Sequence, residues 1–246
     1  MIQPPHGDAR PATRPRVWLT WVLLWAIVLV YVISCLLSGS LFQPAFPVLI
    51  VLGAKENSLV AAGEYWRLLS ATFLHANLVH IFFNSYALFA LGPESERIYG
   101  TARFAAVYFI AGLGGSVASY LFSPAPAVGA SGAIFGLIGA LGIFYYLSRQ
   151  ALGAFGRMQV QSIASIAAIN LVIGFASAGT IDNWGHMGGL VSGLLAGLAL
   201  APRLSVDTGF FPPVLVRWQL PWGWAAAAAL ALALGALAVL LPGAGV

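Results

Sequence analysis

The chain has 246 residues, of which 60% are hydrophobic and only 7% are charged. A soluble domain carries roughly a quarter charged residues, so this composition excludes a soluble protein and predicts an all-α, polytopic membrane protein. The net charge of +4 comes mainly from arginines in loops, so a nucleic-acid partner is not expected. The single cysteine excludes an internal disulfide and any cysteine-rich metal site.

Seven apolar runs are long enough, or nearly so, to cross about 30 Å of hydrocarbon. In chain order they are 17–37, 77–91, 104–122, 131–147, 160–178, 184–201 and 222–241. The fourth and sixth are marginal, because small and polar residues occupy their starts. The division that we predict is a disordered cytoplasmic segment 1–16, a six-helix core 17–201, a linker 202–221, and an accessory seventh helix with the C-terminus in 222–246.

The basic residues predict the orientation. With the N-terminus in the cytoplasm, nine of them lie on the inner side: Arg10, Arg14, Arg16, Arg97, Arg103, Arg149, Arg157, Arg203 and Arg217. Only Lys55 and Arg67 then lie outside, as the positive-inside rule requires. In this orientation the C-terminus is outside, and Ser131 and His186 lie near the outer ends of two parallel helices.

Glycines at a spacing of four indicate that these two helices touch. Gly132 and Gly136 lie along the fourth span, and Gly185, Gly189 and Gly193 lie along the sixth. Membrane helices use such faces to bring backbones together. The alternative is tight packing without any catalytic purpose.

A serine and a histidine at the same depth are the minimum that a serine hydrolase needs. Ser131 is flanked by glycines, and Phe135, one turn further on, could pack against the imidazole of His186. Asp182 could be the third member of a triad, but an N-cap of the sixth span is favoured. A lone serine at a helix start is usually only a cap, so Ser131 depends on His186 for its interpretation.

Two further polar side chains share a face of the second span. His80 and Asn84 are four residues apart and can donate hydrogen bonds into the bundle. We interpret them, with the backbone N–H of Ser131, as an oxyanion hole. The alternative is a hydrogen-bonded clamp between helices. His75 points elsewhere and is expected to be structural.

Two motifs lie at membrane boundaries. Trp66 and Arg67 belong to the segment 38–76, whose apolar pieces suggest a structure along the interface. Glu96 and Arg97 follow the second span, where a Glu–Arg network would join loop ends. Structural stabilisation is the expected role of both motifs.

Four patterns in this order resemble the rhomboid intramembrane serine proteases over about residues 60–200. They are Trp66-Arg67, then His75, His80 and Asn84, then Gly129-Ala130-Ser131-Gly132, and finally Gly185-His186 followed by Gly189 and Gly193. The resemblance implies a six-helix core with one added C-terminal helix, Ser131 as nucleophile and His186 as base and acid. It also implies an oxyanion hole from His80, Asn84 and the Ser131 backbone, and a fifth span that acts as a lateral gate.

The sequence departs from this family in two places. Many bacterial members carry tyrosine at the position of Phe135, so a phenolic hydrogen bond is lost while the ring packing persists. A Glu-x-Arg order is common where this chain has Glu96-Arg97, so that network is expected to be rearranged.

The resemblance implies single-span membrane proteins as substrates, cut near the outer face, with membrane lipid as surroundings and no cofactor or metal. We expect a bacterial inner membrane, because no transit peptide precedes the first span. The alternatives are a non-catalytic rhomboid-like protein that binds or escorts membrane proteins, a transporter, and a metal site from His75, His80 and His186. The physiological substrate and the oligomeric state stay open.

Overall fold

A computed structural model describes residues 17–177 and 181–246. The helices are α1 (Leu19–Leu37), α2 (Phe46–Leu52), α3 (Asn57–Ala61), α4 (Arg67–Ser70), a 3-10 helix (Ala71–Phe73), α5 (Leu78–Tyr99), α6 (Thr101–Phe122), α7 (Ser131–Ala176), α8 (Asn183–Leu200) and α9 (Gly223–Leu240). The strands are β1 (Arg203–Asp207) and β2 (Val214–Trp218). The predicted helical membrane bundle is confirmed. The segment 1–16, with Arg10, Arg14 and Arg16, lies outside the described residues.

Three helices, α6, α7 and α8, form the centre of the bundle, and glycines set how closely they pack. A Cβ added at Gly115 of α6 would lie 2.7 Å from the carbonyl oxygen of Gly185 in α8. One added at Gly139 of α7 would lie 2.7 Å from the carbonyl oxygen of Leu190, also in α8. Only helices without side chains at these points can come so close. The expected contact between the fourth and sixth spans is therefore confirmed.

The long helix α7 covers two predicted spans, 131–147 and residues 160–176 of the span 160–178. Gly153 interrupts it with φ 61° and ψ −133°, which are not helical values and which glycine tolerates best. The chain reverses direction there, since a Cβ added at Gly142 would touch Ile163 at 3.4 Å. In a straight helix these two residues would be roughly 31 Å apart. The two arms of α7 therefore lie side by side.

Helix α5 is longer than the predicted span 77–91, because it continues through Pro93 for the rest of its range. Its last turns carry Glu96, whose buried carboxylate accepts hydrogen bonds from backbone N–H groups at the start of α1. The N–H and the Oγ1 of Thr20 both donate to it at 2.9 Å. The predicted Glu96–Arg97 network is wrong in its partner. Glu96 caps α1, and Arg97 forms no ion pair within the described part of the chain.

Four of the described helices are long and apolar enough to cross a membrane, namely α1, α6, α7 and α9. A fifth span results if the segment Arg67–Phe73 and α5, which meet at 91°, are counted together. Helix α8 does not reach this threshold, because glycines and polar residues fill its first turns. Several crossings of this kind make the chain an integral, multi-pass membrane protein.

The segment between α1 and α5 consists of short helices that a buried arginine holds together. The Nη1 of Arg67 donates to the carbonyl oxygens of Ile50 at 2.6 Å and Ala54 at 3.2 Å. Its guanidinium also forms an ion pair with Glu64 at 2.7 Å. The exposed Trp66 ring lies 4.8 Å from the guanidinium carbon. These contacts support the structural role expected of Trp66 and Arg67.

The predicted linker 202–221 contains a β-hairpin, in which β1 and β2 pair antiparallel with Arg203 opposite Trp218. The hairpin leads into α9, which packs against α6 and α8. Beyond α9 the chain returns to α6, where the N–H of Ala244 donates to the carbonyl oxygen of Tyr120 at 2.8 Å. The accessory helix is thus fixed to the core at both of its ends.

Candidate active site

Ser131 is the first residue of α7, directly after a glycine turn. Gly129 has a φ of +128°, which L side chains rarely adopt, and its N–H donates to the carbonyl oxygen of Ala71 at 2.9 Å. The N-cap residue is Ala130, and no side chain caps this end of the helix. The N–H groups of Ser131 and Gly132 therefore have no partner within the helix, and the N-terminus of a helix is a place where negative charge is favoured.

His186 lies in the first turn of α8, which Asp182 starts. The Oδ1 of Asp182 accepts a hydrogen bond from the N–H of Gly185 at 3.0 Å, so Asp182 is the N-cap. This confirms the interpretation of Asp182 as a cap. The carboxylate stabilises the start of the helix that carries the histidine.

Glycines bring the starts of α7 and α8 into direct backbone contact. A Cβ added at Gly189 would lie 2.8 Å from the Cα of Gly132. One added at Gly132 would lie 3.3 Å from the carbonyl oxygen of Gly185. Ser131 precedes Gly132, and His186 follows Gly185, so both candidate side chains lie on backbones that touch.

The imidazole of His186 stacks on the ring of Phe135, with centroids 4.2 Å apart and an interplanar angle of 18°. Phe135 lies one turn after Ser131 on the same helix, so the ring on which His186 stacks is carried by the helix that Ser131 starts. No hydrogen bond joins Ser131 to His186 within the described residues, and the Nδ1 of His186 is buried without a partner there. Catalytic hydrogen bonds are often long before substrate binds and tighten in the complex.

His80 and Asn84 surround the turn that precedes Ser131. A Cβ added at Gly129 would lie 2.6 Å from the Nε2 of His80 and 3.6 Å from the Nδ2 of Asn84. The two predicted donors therefore lie next to the turn that precedes the N-terminus of α7. The fully buried His75 packs edge-on against His80, with centroids 5.1 Å apart. This packing of His75 against His80 fits the structural role that we expected for His75.

A small cavity of about 30 Å³ lies beside Ser131. It is lined by Ala71, Thr72, Gly112, Gly115, Ser116, Ala127, Val128, Gly129, Ser131, Gly132, Asp182 and Gly185. A cavity of this size holds at least one water molecule. The described residues contain no group of three or more His, Cys, Asp or Glu side chains that could hold a metal ion.

Sequence reasoning missed one buried polar cluster near the site. Lys55 is fully buried, and Asn57 is nearly so. The Nζ of Lys55 donates to the Oδ1 of Asn57 at 2.9 Å and to the carbonyl oxygen of Ala125 at 2.7 Å. The signal was present, because Lys55 is the only lysine of the chain and follows an apolar run. Its assignment to the outer loop gave it no further role.

We compared the sequence with models of known protein families. The Rhomboid domain matches residues 62–203, more than half of the chain. The chain belongs to the rhomboid family. The resemblance inferred from the motifs is therefore confirmed, and the matched residues include every position at which this rhomboid presents its candidate dyad and oxyanion donors.

Named relatives extend this result. This rhomboid is 49% identical over 152 residues to the protein named Rhomboid protease GluP of Bacillus subtilis (strain 168), a match that covers 62% of this chain and 29% of the relative. It is 31% identical over 247 residues to RHOMBOID-like protein 5 of Arabidopsis thaliana, covering 85% and 79%. With Rhomboid-like protease 1 of Toxoplasma gondii it shares 32% identity over 185 residues, covering 74% and 63%.

Proposed function

We propose that this rhomboid is an intramembrane serine protease that works with a Ser131–His186 dyad. The observation that carries the proposal is the stack of His186 on Phe135, one turn from Ser131. Direct glycine contact between the two helix starts supports it, because a short serine side chain needs the histidine backbone nearby. Two of the relatives are named as proteases, which supports the proposal of a protease.

In the proposed reaction the Oγ of Ser131 attacks the scissile carbonyl carbon, and its proton passes to a ring nitrogen of His186. The resulting imidazolium gives that proton to the leaving amine as the C–N bond breaks. A water molecule, for which the neighbouring cavity has room, then hydrolyses the acyl-enzyme with His186 as base again. Phe135 replaces an acid as the group that orients the imidazole, since Asp182 is engaged as a cap.

The negative charge that develops on the carbonyl oxygen requires preorganised donors. His80 and Asn84 lie against Gly129, and the uncapped N–H groups of Ser131 and Gly132 start the same helix. In the proposed reaction these donors stabilise the oxyanion from the turn that precedes the nucleophile and from the start of its helix. Folding already places these donors, so they need no rearrangement during the reaction.

The proposed substrates are the transmembrane segments of single-span membrane proteins. Such a segment must unwind locally before attack, because an intact helix buries its peptide bonds in its own hydrogen bonds. With the N-terminus in the cytoplasm and the C-terminus outside, the Ser131 end of the bundle faces outward. Cleavage then occurs near the outer face of a bacterial inner membrane.

The test uses purified protein in liposomes together with a single-span substrate that has small residues near its outer end. We expect cleavage by the native chain and none above background for Ser131→Ala or His186→Ala. Ser148→Ala is the matched control, because this serine is also in α7 but lies 17 residues after Ser131, far from the site, and is buried. Cleavage that persists in Ser131→Ala overturns the proposal. Capture of the substrate without cleavage by the native chain favours a binding or escort protein.

A further inference from the structure

Lys55 is the centre of a polar cluster that the proposed reaction does not use. It lies in the chain between α2 and α3, and its side chain is fully buried. Besides Asn57 and Ala125, the Nζ reaches the carbonyl oxygens of Ser119 at 3.4 Å and Ser123 at 3.3 Å. A buried ammonium is stable only when its donors are satisfied, and here four oxygens surround it.

Three of these four oxygens, all except the Oδ1 of Asn57, belong to one stretch of chain that ends at the candidate nucleophile. Ser119 lies in the last turn of α6, and Ser123 and Ala125 follow it. Further along, the backbones of Lys55 and Ala127 exchange two hydrogen bonds, at 3.0 and 2.9 Å. The segment 123–130 then runs into Ser131, so both the side chain and the backbone of Lys55 fix its course.

Asn57 extends the cluster to the segment beyond α9. Its Nδ2 donates to the carbonyl oxygens of Tyr120 at 3.2 Å, Ser123 at 3.0 Å and Ala244 at 2.7 Å. One amide therefore joins the end of α6, the segment before Ser131 and the chain after the accessory helix. The cluster therefore also connects the segment after the accessory helix to the chain that leads to Ser131.

We propose that Lys55 is a positioning residue, which sets the placement of Ser131 through its hydrogen bonds to the segment 123–130. This inference rests on the proposed function of Ser131 as nucleophile. Lys55 touches neither the imidazole nor the oxyanion donors in any hydrogen bond of the described residues. It acts on the geometry of attack, where small displacements are costly.

The charge of Lys55 changes in an accessible pH range. Burial lowers the pKa of its ammonium from 10.5 to about 8, against the opposing effect of the Asp182 and Glu56 carboxylates. The end of α6 and the residues after it face the Nζ with the carbonyl oxygens of Ser119 and Ser123. The neutral amine has two hydrogens for four oxygens, so the hold on the segment 123–130 weakens as the pH rises through about 8.

The folding stability, in contrast, is expected to increase with pH in the same range. Between about 8 and 10.5 the unfolded chain still binds the Lys55 proton while the native chain has released it. The free energy of unfolding therefore increases with pH between these two pKa values. A fall in reactivity above pH 8 without a fall in the unfolding temperature thus separates positioning from a general loss of structure.

The experiment measures the rate of covalent labelling by a fluorophosphonate probe between pH 6 and 10, with the unfolding temperature recorded in the same detergent. Lys55→Met removes the charge and the hydrogen-bond donors but keeps most of the length of the side chain. We expect labelling that is about 10-fold slower than in the native protein at neutral pH. In cleavage assays the loss should appear in kcat rather than KM, and the decline above pH 8 should be absent.

Arg67→Met is the matched control, because Arg67 is also a buried cation that binds carbonyl oxygens, but those of Ile50 and Ala54. It should lower the unfolding temperature and keep the decline above pH 8. If the native protein labels normally with no such decline, or if Lys55→Met keeps it, the inference is wrong while the proposed function stands. If Ser131 does not label at all, both fail together. Should Lys55→Met not fold, the native pH profile decides alone.

Discussion

Phe135 and His186 stack face to face, 4.2 Å between centroids, although they belong to different helices. Phe135 is carried by the helix that Ser131 starts, so any rotation of that helix moves the serine and the stacking ring together. The orientation of the imidazole is therefore coupled to the position of the proposed nucleophile. The carboxylate of Asp182 serves as a helix cap and the Nδ1 of His186 has no hydrogen-bond partner among the described residues, so we assign the orientation of the imidazole to this ring contact.

Replacing the ring of Phe135 should impair the reaction more than it impairs folding. For Phe135→Leu we expect kcat to fall by about 2- to 10-fold, the value of an aromatic pair converted to a rate. Phe135→Tyr keeps the stack and should stay close to native. Steady-state cleavage of a single-span substrate measures both. Equal rates for leucine and phenylalanine would remove the stack from the mechanism.

Loss of one oxyanion donor should slow the chemical step. Asn84→Ala is expected to reduce kcat by about 10-fold or more. Ser85→Ala is the control, because the neighbouring hydroxyl is buried on the same helix without a hydrogen-bond partner in the described residues. The two variants are compared by cleavage rate at saturating substrate. An unchanged rate for Asn84→Ala would contradict the assignment of this amide.

Asp182 should respond to substitution as a helix cap and not as a catalytic acid. Asparagine caps as well as aspartate, so Asp182→Asn should keep most of the activity, while Asp182→Ala should lose about 1 kcal/mol of stability. In a true triad the change to asparagine costs about 10⁴-fold in kcat. Unfolding in detergent and cleavage by the same samples separate the two roles. A collapse of activity in Asp182→Asn would make the dyad a triad.

The contact between Gly132 and Gly189 should not tolerate a methyl group. Gly189→Ala would force α7 and α8 apart, with an expected cost of about 1–3 kcal/mol and a loss of cleavage. Gly235→Ala on α9 is the matched control, since a Cβ there meets nothing within 4 Å. It should stabilise by up to about 1 kcal/mol. Comparable unfolding temperatures for the two variants would contradict the close approach.

Much of the bundle was predictable because apolar length and glycine spacing are local properties. The runs that became α1, α6 and α9 could be found without knowledge of their neighbours. The reversal at Gly153 was expected only as a gap between two spans, since sequence patterns do not give φ values. The β-hairpin was missed because Pro202, Pro212 and Pro213 are more typical of a linker.

The closeness of the helices that carry Ser131 and His186 was predictable, because residue type, depth and glycine spacing were enough to infer it. Contacts between residues far apart in sequence could not be found in this way. Glu96 receives hydrogen bonds from the start of α1, and Lys55 binds oxygens near the end of α6. From the sequence we interpreted both residues by their neighbours along the chain, but these hydrogen-bond partners lie in distant parts of the sequence.

The most direct test of the account is the location of a covalent adduct. The native protein in detergent is treated with a fluorophosphonate, and the modified residue is identified by mass spectrometry of its peptides. We predict one adduct, on Ser131, that is absent from Ser131→Ala and strongly reduced in His186→Ala while both variants stay folded. An adduct on another serine, or full labelling of Ser131 without the imidazole of His186, would contradict the dyad.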